Sequence, residues 1–235
     1  MCRAINSDTR QIVAVKQIQL EGFKEEQIVQ FMQEVDLVKQ LSHPNIIKYE
    51  GMTRDKHTLS IVLECVRFLP PALARLCYGL APDMLRGIAC AAATRYSPNG
   101  SLEQMLGEFG KLSEKLVASY VVQILEGLDC LHHNGIVHGN LKAANILMTS
   151  CGDVKLSDIG VSLNLQALED IGKGVFCMPN WIAPEVIELK CTSTKSDIWS
   201  LGCTIIELLT GQPPYGDLVN ALGGTDPFLY PVPKL

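Results

Sequence analysis

Two short stretches hold the side chains that could do chemistry in this chain. The first is His138-Gly-Asn-Leu-Lys-Ala-Ala-Asn-Ile-Leu147 and the second is Asp158-Ile-Gly160. Asp158 offers a carboxylate, the ligand that a hard cation such as magnesium takes. Lys142 offers a flexible point charge. Asn140 presents an amide whose carbonyl accepts a hydrogen bond but cannot take up a proton at neutral pH. A step that needs a base at that position is therefore disfavoured by the residue type itself.

The elements around these stretches must position them. Ile146-Leu-Met148, the turn Ser150-Cys-Gly-Asp153 and Val154-Lys-Leu156 read as a hairpin that delivers Asp158 to the site. Ser113 to His133 reads as a long helix, with Ser113 placed to cap it, Glu114 in its first turn and Asn134-Gly135 at its end. Its stripe of Leu116, Tyr120, Ile124, Leu128 and Leu131, widened by Val117, Val121 and Leu125, predicts a core pillar rather than a partner-binding face. Towards the N-terminus, Ala4 to Leu20 reads as a hairpin about the polar turn Asn6-Ser-Asp-Thr-Arg10, with a β-branched strand at Ile12-Val-Ala-Val-Lys-Gln-Ile18. Lys24 to Leu41 has the spacing of an amphipathic helix, with Ile28, Phe31, Met32, Val35, Val38 and Leu41 on one face. Ser42-His-Pro-Asn45 is expected to stop it, because proline cannot continue a helix. Leu59 to Val66 reads as a further strand.

Composition narrows the class. The 235 residues suffice for one large domain or two small lobes, and the composition is that of an ordinary globular protein. A net charge of -5 gives no electrostatic reason to expect nucleic acid or an anionic membrane as partner. The nine cysteines are odd in number and show no zinc-ligand spacing, which predicts reduced thiols in an intracellular, cytoplasmic protein. The first residues lack the apolar core of a signal peptide, and no apolar run reaches the ~18 residues that suggest a membrane span.

The motifs together resemble a protein kinase domain. Kinases carry V-A-I-K, H-R-D-L-x-x-x-N, D-F-G and A-P-E along the chain. In that order this chain has Val13-Ala-Val-Lys16, the loop at 138–147, Asp158-Ile-Gly160 and Ala183-Pro-Glu185, with Ser196-Asp-Ile-Trp-Ser-Leu-Gly202 following. Leu141-Lys-Ala-Ala-Asn145 and Ser200-Leu-Gly-Cys-Thr-Ile-Ile-Glu-Leu-Leu-Thr-Gly211 look like Ser/Thr kinases of the mitogen-activated kinase-kinase-kinase type, with septation and cell-division kinases the nearest flavour. The resemblance implies an α+β, bilobal protein-kinase-like fold. A small β-rich N-lobe would carry one long helix, and a larger C-lobe would be helical. It also implies ATP and magnesium as cofactors, and a protein substrate or a partner kinase.

Site roles carry over residue by residue. Lys16 would hold phosphates and Glu34 would pair with it. Leu63 would be the gatekeeper, the backbone of Glu64 and Val66 would meet adenine, and Leu147 would floor it. Lys142 would steady the transferring phosphate. Asn145 and Asp158 would ligate magnesium. Asn140 occupies the place of the catalytic Asp, and Asp197 would hold the catalytic loop's backbone from below. Leu102 to Leu106 would be the short helix after the hinge, and Thr194 to Thr210 the central helix of the large lobe. His138 is a packing residue in the family.

The pattern is also broken. Gly139, Asn140 and Ile159 replace Arg, Asp and Phe of the two motifs, and Met178 replaces a Thr before A-P-E. On this reading residues 1–66 are an N-lobe lacking the Gly-rich loop, and 67–98 are a non-family insertion or translated non-coding sequence. Residues 99–217 are a partial C-lobe and 218–235 a non-family tail, so the domain is expected to be truncated at both ends. Three functions follow: a Ser/Thr kinase impaired by Asn140, a pseudokinase scaffold, or a mis-spliced fragment.

Overall fold

The structure is a computed structural model that describes residues 2–7, 9–66, 100–160, 179–188 and 192–214. The expected insertion at 67–98, the tail at 218–235 and Met178 lie outside the described residues. The chain divides into two compact units, residues 1–100 with 147–157, and residues 101–146 with 158–235.

The first unit is built on an antiparallel sheet. Its strands are β1 (Cys2–Ile5), β2 (Ile12–Gln19), β3 (Tyr49–Arg54) and β4 (Thr58–Glu64), in the order β1-β2-β4-β3. The expected N-terminal hairpin is present, with Ile5 opposite Ile12 and the turn closed by the Asn6 amide donating to the Gln11 carbonyl at 2.9 Å. On β4 the side chains alternate, so Leu59, Ile61 and Leu63 are buried. Helix α1 (Glu25–Lys39) packs on β3 and buries Ile28, Phe31, Val35 and Val38. It starts where the Gln27 side chain accepts the Lys24 amide at 3.0 Å. It ends at Lys39, earlier than a stop by Pro44 requires, and Met32 and Leu41 are only half-buried.

Strands β5 (Ile146–Met148) and β6 (Val154–Leu156) form the expected hairpin. The Thr149 amide donates to the Asp153 carbonyl at 2.8 Å, and Gly152 takes φ 85°, the left-handed geometry glycine adopts at no steric cost. The segment after α1 fixes the hairpin. Buried Asn45 donates through Nδ2 to the Val154 carbonyl at 2.9 Å, and the Ile47 amide donates to the Leu156 carbonyl at 2.9 Å.

The second unit is helical. It contains α2 (Leu102–Phe109), α3 (Glu114–His133), α4 (Pro184–Ile187) and α5 (Thr194–Thr210), with 3-10 turns at Ala143–Asn145 and Pro179–Trp181. Ser101 caps α2 by accepting the Gln104 amide at 3.3 Å, and the helix runs beyond the expected Leu106. Ser113 sits at the N-cap of α3, but its side chain makes no capping bond there. Helix α5 has the expected bounds, opened by the reciprocal Ser193 and Ser196 capping box and closed by Gly211 at φ 82°. Helices α3 and α5 pack together, and α5 also meets both 3-10 turns.

The expectation for α3 needs one correction. Val117, Tyr120, Ile124, Leu128 and Leu131 are buried, but Leu125 is 43% exposed and Val122 56%. The buried arc is narrower than the apolar arc, because one face of α3 is covered and the side bearing Leu125 is not. Leu131→Ala is expected to cost about 2–5 kcal/mol in urea unfolding. Leu125→Ala is expected to stay within about 0.5 kcal/mol.

Candidate active site

The catalytic-loop candidates are held by a buried carboxylate. Asp197, 1% exposed on α5, accepts the His138 amide through Oδ2 at 2.9 Å and the Gly139 amide through Oδ1 at 2.8 Å. His132, at the end of α3, lies 2.8 Å from the same Oδ2 through Nε2. Two successive N–H groups bound by one carboxylate fix the direction of the chain, because a carboxylate presents lone pairs on both oxygens. This is the role expected of Asp197. Gly139 takes φ 71°, a left-handed turn in which L side chains are uncommon.

From that anchor the loop closes on itself. His138 is buried, and its Nδ1 accepts the Asn140 amide at 3.2 Å. The Asn140 carbonyl accepts Nδ2 of Asn145 at 2.7 Å, and the Asn145 amide donates to the Lys142 carbonyl at 2.9 Å. Asn140, Lys142 and Asn145 are thus brought together in one hydrogen-bonded turn. The Gly160 amide donates to the His138 carbonyl at 2.9 Å, which ties the Asp158 turn to the same loop. Asp158 has φ 58°, and the neighbouring Ile159 is fully buried, so it serves as the apolar anchor expected at that position.

A magnesium ion fits these donors. With Nδ2 of Asn145 committed to a loop carbonyl, the atom that side chain would present to a cation is Oδ1. Among the described residues no three His, Cys, Asp or Glu side chains gather to hold a metal alone. Magnesium needs only one or two carboxylates when substrate phosphates complete its shell.

The other candidates lie in the first unit. Lys16 is half-buried on β2 opposite Ile61, and Leu63 is buried on the adjacent β4 opposite Ala14. Glu34 is half-buried on α1, where loss of solvent pushes its carboxyl up and a hydrogen bond with Gln30 partly opposes this. Val66 and Leu147 are half-buried. The Glu64 side chain does more than its expected backbone role. Its Oε1 accepts the Lys48 amide at 2.8 Å and pairs with Lys155 Nζ at 2.7 Å.

One further carboxylate escaped the sequence reading. Glu207 of α5, 4% exposed, accepts Trp181 Nε1 at 2.9 Å and the Ala143 amide at 3.2 Å through the same Oε2. The signal lay in Ile205-Ile-Glu-Leu-Leu209, where an acid interrupts an apolar helix. Burial pushes the Glu207 carboxyl above its ordinary value of 4.5, against the lowering effects of the Ala143 amide, the Trp181 indole and Lys142.

Two measurements test this geometry. Asp197→Ala leaves the His138 and Gly139 amides without their acceptor, at about 1–3 kcal/mol each, and hydrogen exchange at those two amides should accelerate. For Glu207 the folded state binds the proton more tightly than the unfolded state. Its contribution to stability is therefore fully present below 4.5 and lost as pH rises through the folded value. The melting temperature of the unaltered chain should fall relative to Glu207→Gln over that rise, and a pH-independent difference would refute the assignment.

The geometry can be set beside known proteins. The protein kinase domain model matches residues 1–75 and 90–222. The chain is 42% identical to cytokinesis protein sepH of Aspergillus niger, over 92% of this chain and 14% of that protein. It is 41% identical to cell division control protein 7 of Schizosaccharomyces pombe, over 92% of this chain and 17% of that protein. It is 40% identical to MAP3K epsilon protein kinase 1 of Arabidopsis thaliana, over 92% of this chain and 14% of that protein. The chain thus spans about one seventh of the length of sepH and of MAP3K epsilon protein kinase 1. A crystal structure of Rad53 in complex with AMP-PNP shares the fold, with a TM-score of 0.62 at 24% identity, over 90% of this chain and 44% of that one. With a kinase fold, a kinase loop anchored by Asp197 and these relatives, the chain belongs to the protein kinase family, on its Ser/Thr side beside the septation and mitogen-activated kinase-kinase-kinase proteins.

Proposed function

We propose that this chain is a Ser/Thr protein-kinase-like domain that binds magnesium-ATP and transfers its γ-phosphoryl group poorly or not at all. One observation carries the reading. The loop around residue 140 is fully built, with the Asn140 amide and carbonyl both held, yet the side chain there is a carboxamide. A positioned base contributes about 10²–10⁴-fold, and an amide cannot supply it. Met178 supplies no hydroxyl where the family has one.

Asn145 and Asp158 would hold magnesium, and Lys16 and Lys142 would meet phosphates. Glu34 would orient Lys16. The backbone of Glu64 and Val66 and the side chains of Leu63 and Leu147 would receive adenine. Bound there, magnesium would supply neutralisation of phosphate charge. The residues of this chain would position and balance charge, and residue 140 offers the proton of an acceptor hydroxyl no base. A partner kinase rather than a substrate is then the protein bound. The same loss of the base favours this second reading, in which the domain serves as a scaffold. No helix among the described residues is long and apolar enough to cross a membrane. On the odd number of cysteines without zinc-ligand spacing, we propose a cytoplasmic location.

In a radiometric assay on a generic protein substrate, the unaltered chain should show no transfer that Lys16→Ala abolishes. Asn140→Asp should raise transfer by about 10²–10⁴-fold. Robust transfer by the unaltered chain would refute the reading. Magnesium-dependent thermal stabilisation by ATP, lost in Asp158→Ala, is expected, and no stabilisation would remove nucleotide from the proposal.

A further inference from the structure

We infer that Trp181, oriented by Glu207, is a positioning residue that holds the Lys142 ammonium on its indole face. The inference rests on the reading of Lys142 as the cation of the catalytic loop. Lys142 Nζ lies 5.7 Å from the centroid of the Trp181 ring. That is within the ~6 Å range of a cation–π contact, for which indole is the best of the aromatic side chains.

Trp181 is held at two points by one helix, once through its ring and once through its backbone. Its Nε1–H donates to Glu207 Oε2 at 2.9 Å, and the Trp181 carbonyl accepts Ser200 Oγ at 2.7 Å. The same Glu207 oxygen accepts the amide of Ala143 at 3.2 Å. Ala143 directly follows Lys142, so one buried carboxylate fixes both the backbone from which the lysine departs and the ring on which its ammonium rests.

The physical need is clear from the side chain. A lysine carries roughly 2 kcal/mol of rotamer entropy, and without a partner its ammonium would sample many positions. Before A-P-E, where the family has a Thr, Met178 supplies no hydroxyl. An aromatic face needs no hydrogen-bond acceptor to attract a cation, because the ring quadrupole does so. Glu207 thus bears on Lys142 twice, as a nearby opposite charge and as the acceptor that orients the ring beneath the ammonium.

The test is a carbon–proton correlation spectrum of the full chain with isotope-labelled lysine, following the Lys142 ε-methylene protons. Ring current should place them upfield of the exposed lysines. Trp181→Leu should return them to the exposed range, and Glu207→Gln should move them part of the way without loss of the folded spectrum. If Trp181→Leu does not fold, Trp181→Phe keeps a ring face but loses the indole N–H, and an intermediate position is expected. An exposed-range Lys142 signal in the unaltered chain, or a signal unmoved by the Trp181 substitutions, overturns the inference. Magnesium-ATP is then added. A Lys142 signal that is upfield but indifferent to nucleotide upholds the positioning by Trp181 and refutes the phosphate role given to Lys142, so the two failures are distinguishable.

Discussion

The buried Asp197 carboxylate is the constraint on which the second unit depends. It is 1% exposed, and burying an ion is costly unless hydrogen bonds replace its water. Here the His138 and Gly139 amides and the His132 ring surround it. Those donors come from α3 and from the loop that follows it, so the charge is satisfied only when α3, α5 and the loop are all in place. Helix packing and the shape of the loop are thereby one folding event rather than two. The Gly160 amide on the His138 carbonyl extends the same logic to the Asp158 turn.

Helix α5 repeats the device one site along. Asp197 holds the start of the loop, and Glu207, two to three turns later, holds Ala143 and Trp181. Two acids on one rigid helix thus grip the loop at both ends. A helix is well suited to this, since its rise sets the spacing of the grips without help from side chains. The loop between them carries Asn140 and Lys142, which explains how its geometry persists although the residue at its chemical centre has changed.

Much of this was legible in the sequence. The helix at Thr194–Thr210 and the hairpin around Gly152 were read with close bounds, because capping and turn residues leave local signals. Asp197 was placed beneath the loop from its motif. Strand β3 was not read. Its Tyr-Glu-Gly-Met-Thr-Arg sequence has little β-branching, and a register shift between Tyr49 and Gly51 disturbs the alternation, so pairing with β4 decides its conformation. Glu207 and the Glu64 pairing with Lys155 were missed for another reason. Their partners are 26 to 91 residues away, and nothing in a local window reports them. The width of the buried arc on α3 is likewise a tertiary property, which apolar spacing alone overstates.

Asp158 carries a consequence for the backbone of its own turn. Its φ of 58° puts a β-carbon where glycine would sit without penalty, and left-handed backbone costs an L residue roughly 1–2 kcal/mol. Glycine alone would remove that cost, and it would leave the Gly160 tether intact. Asp158 nevertheless places a carboxylate at this left-handed position, so the turn holds an acid where the backbone alone would be best served by glycine.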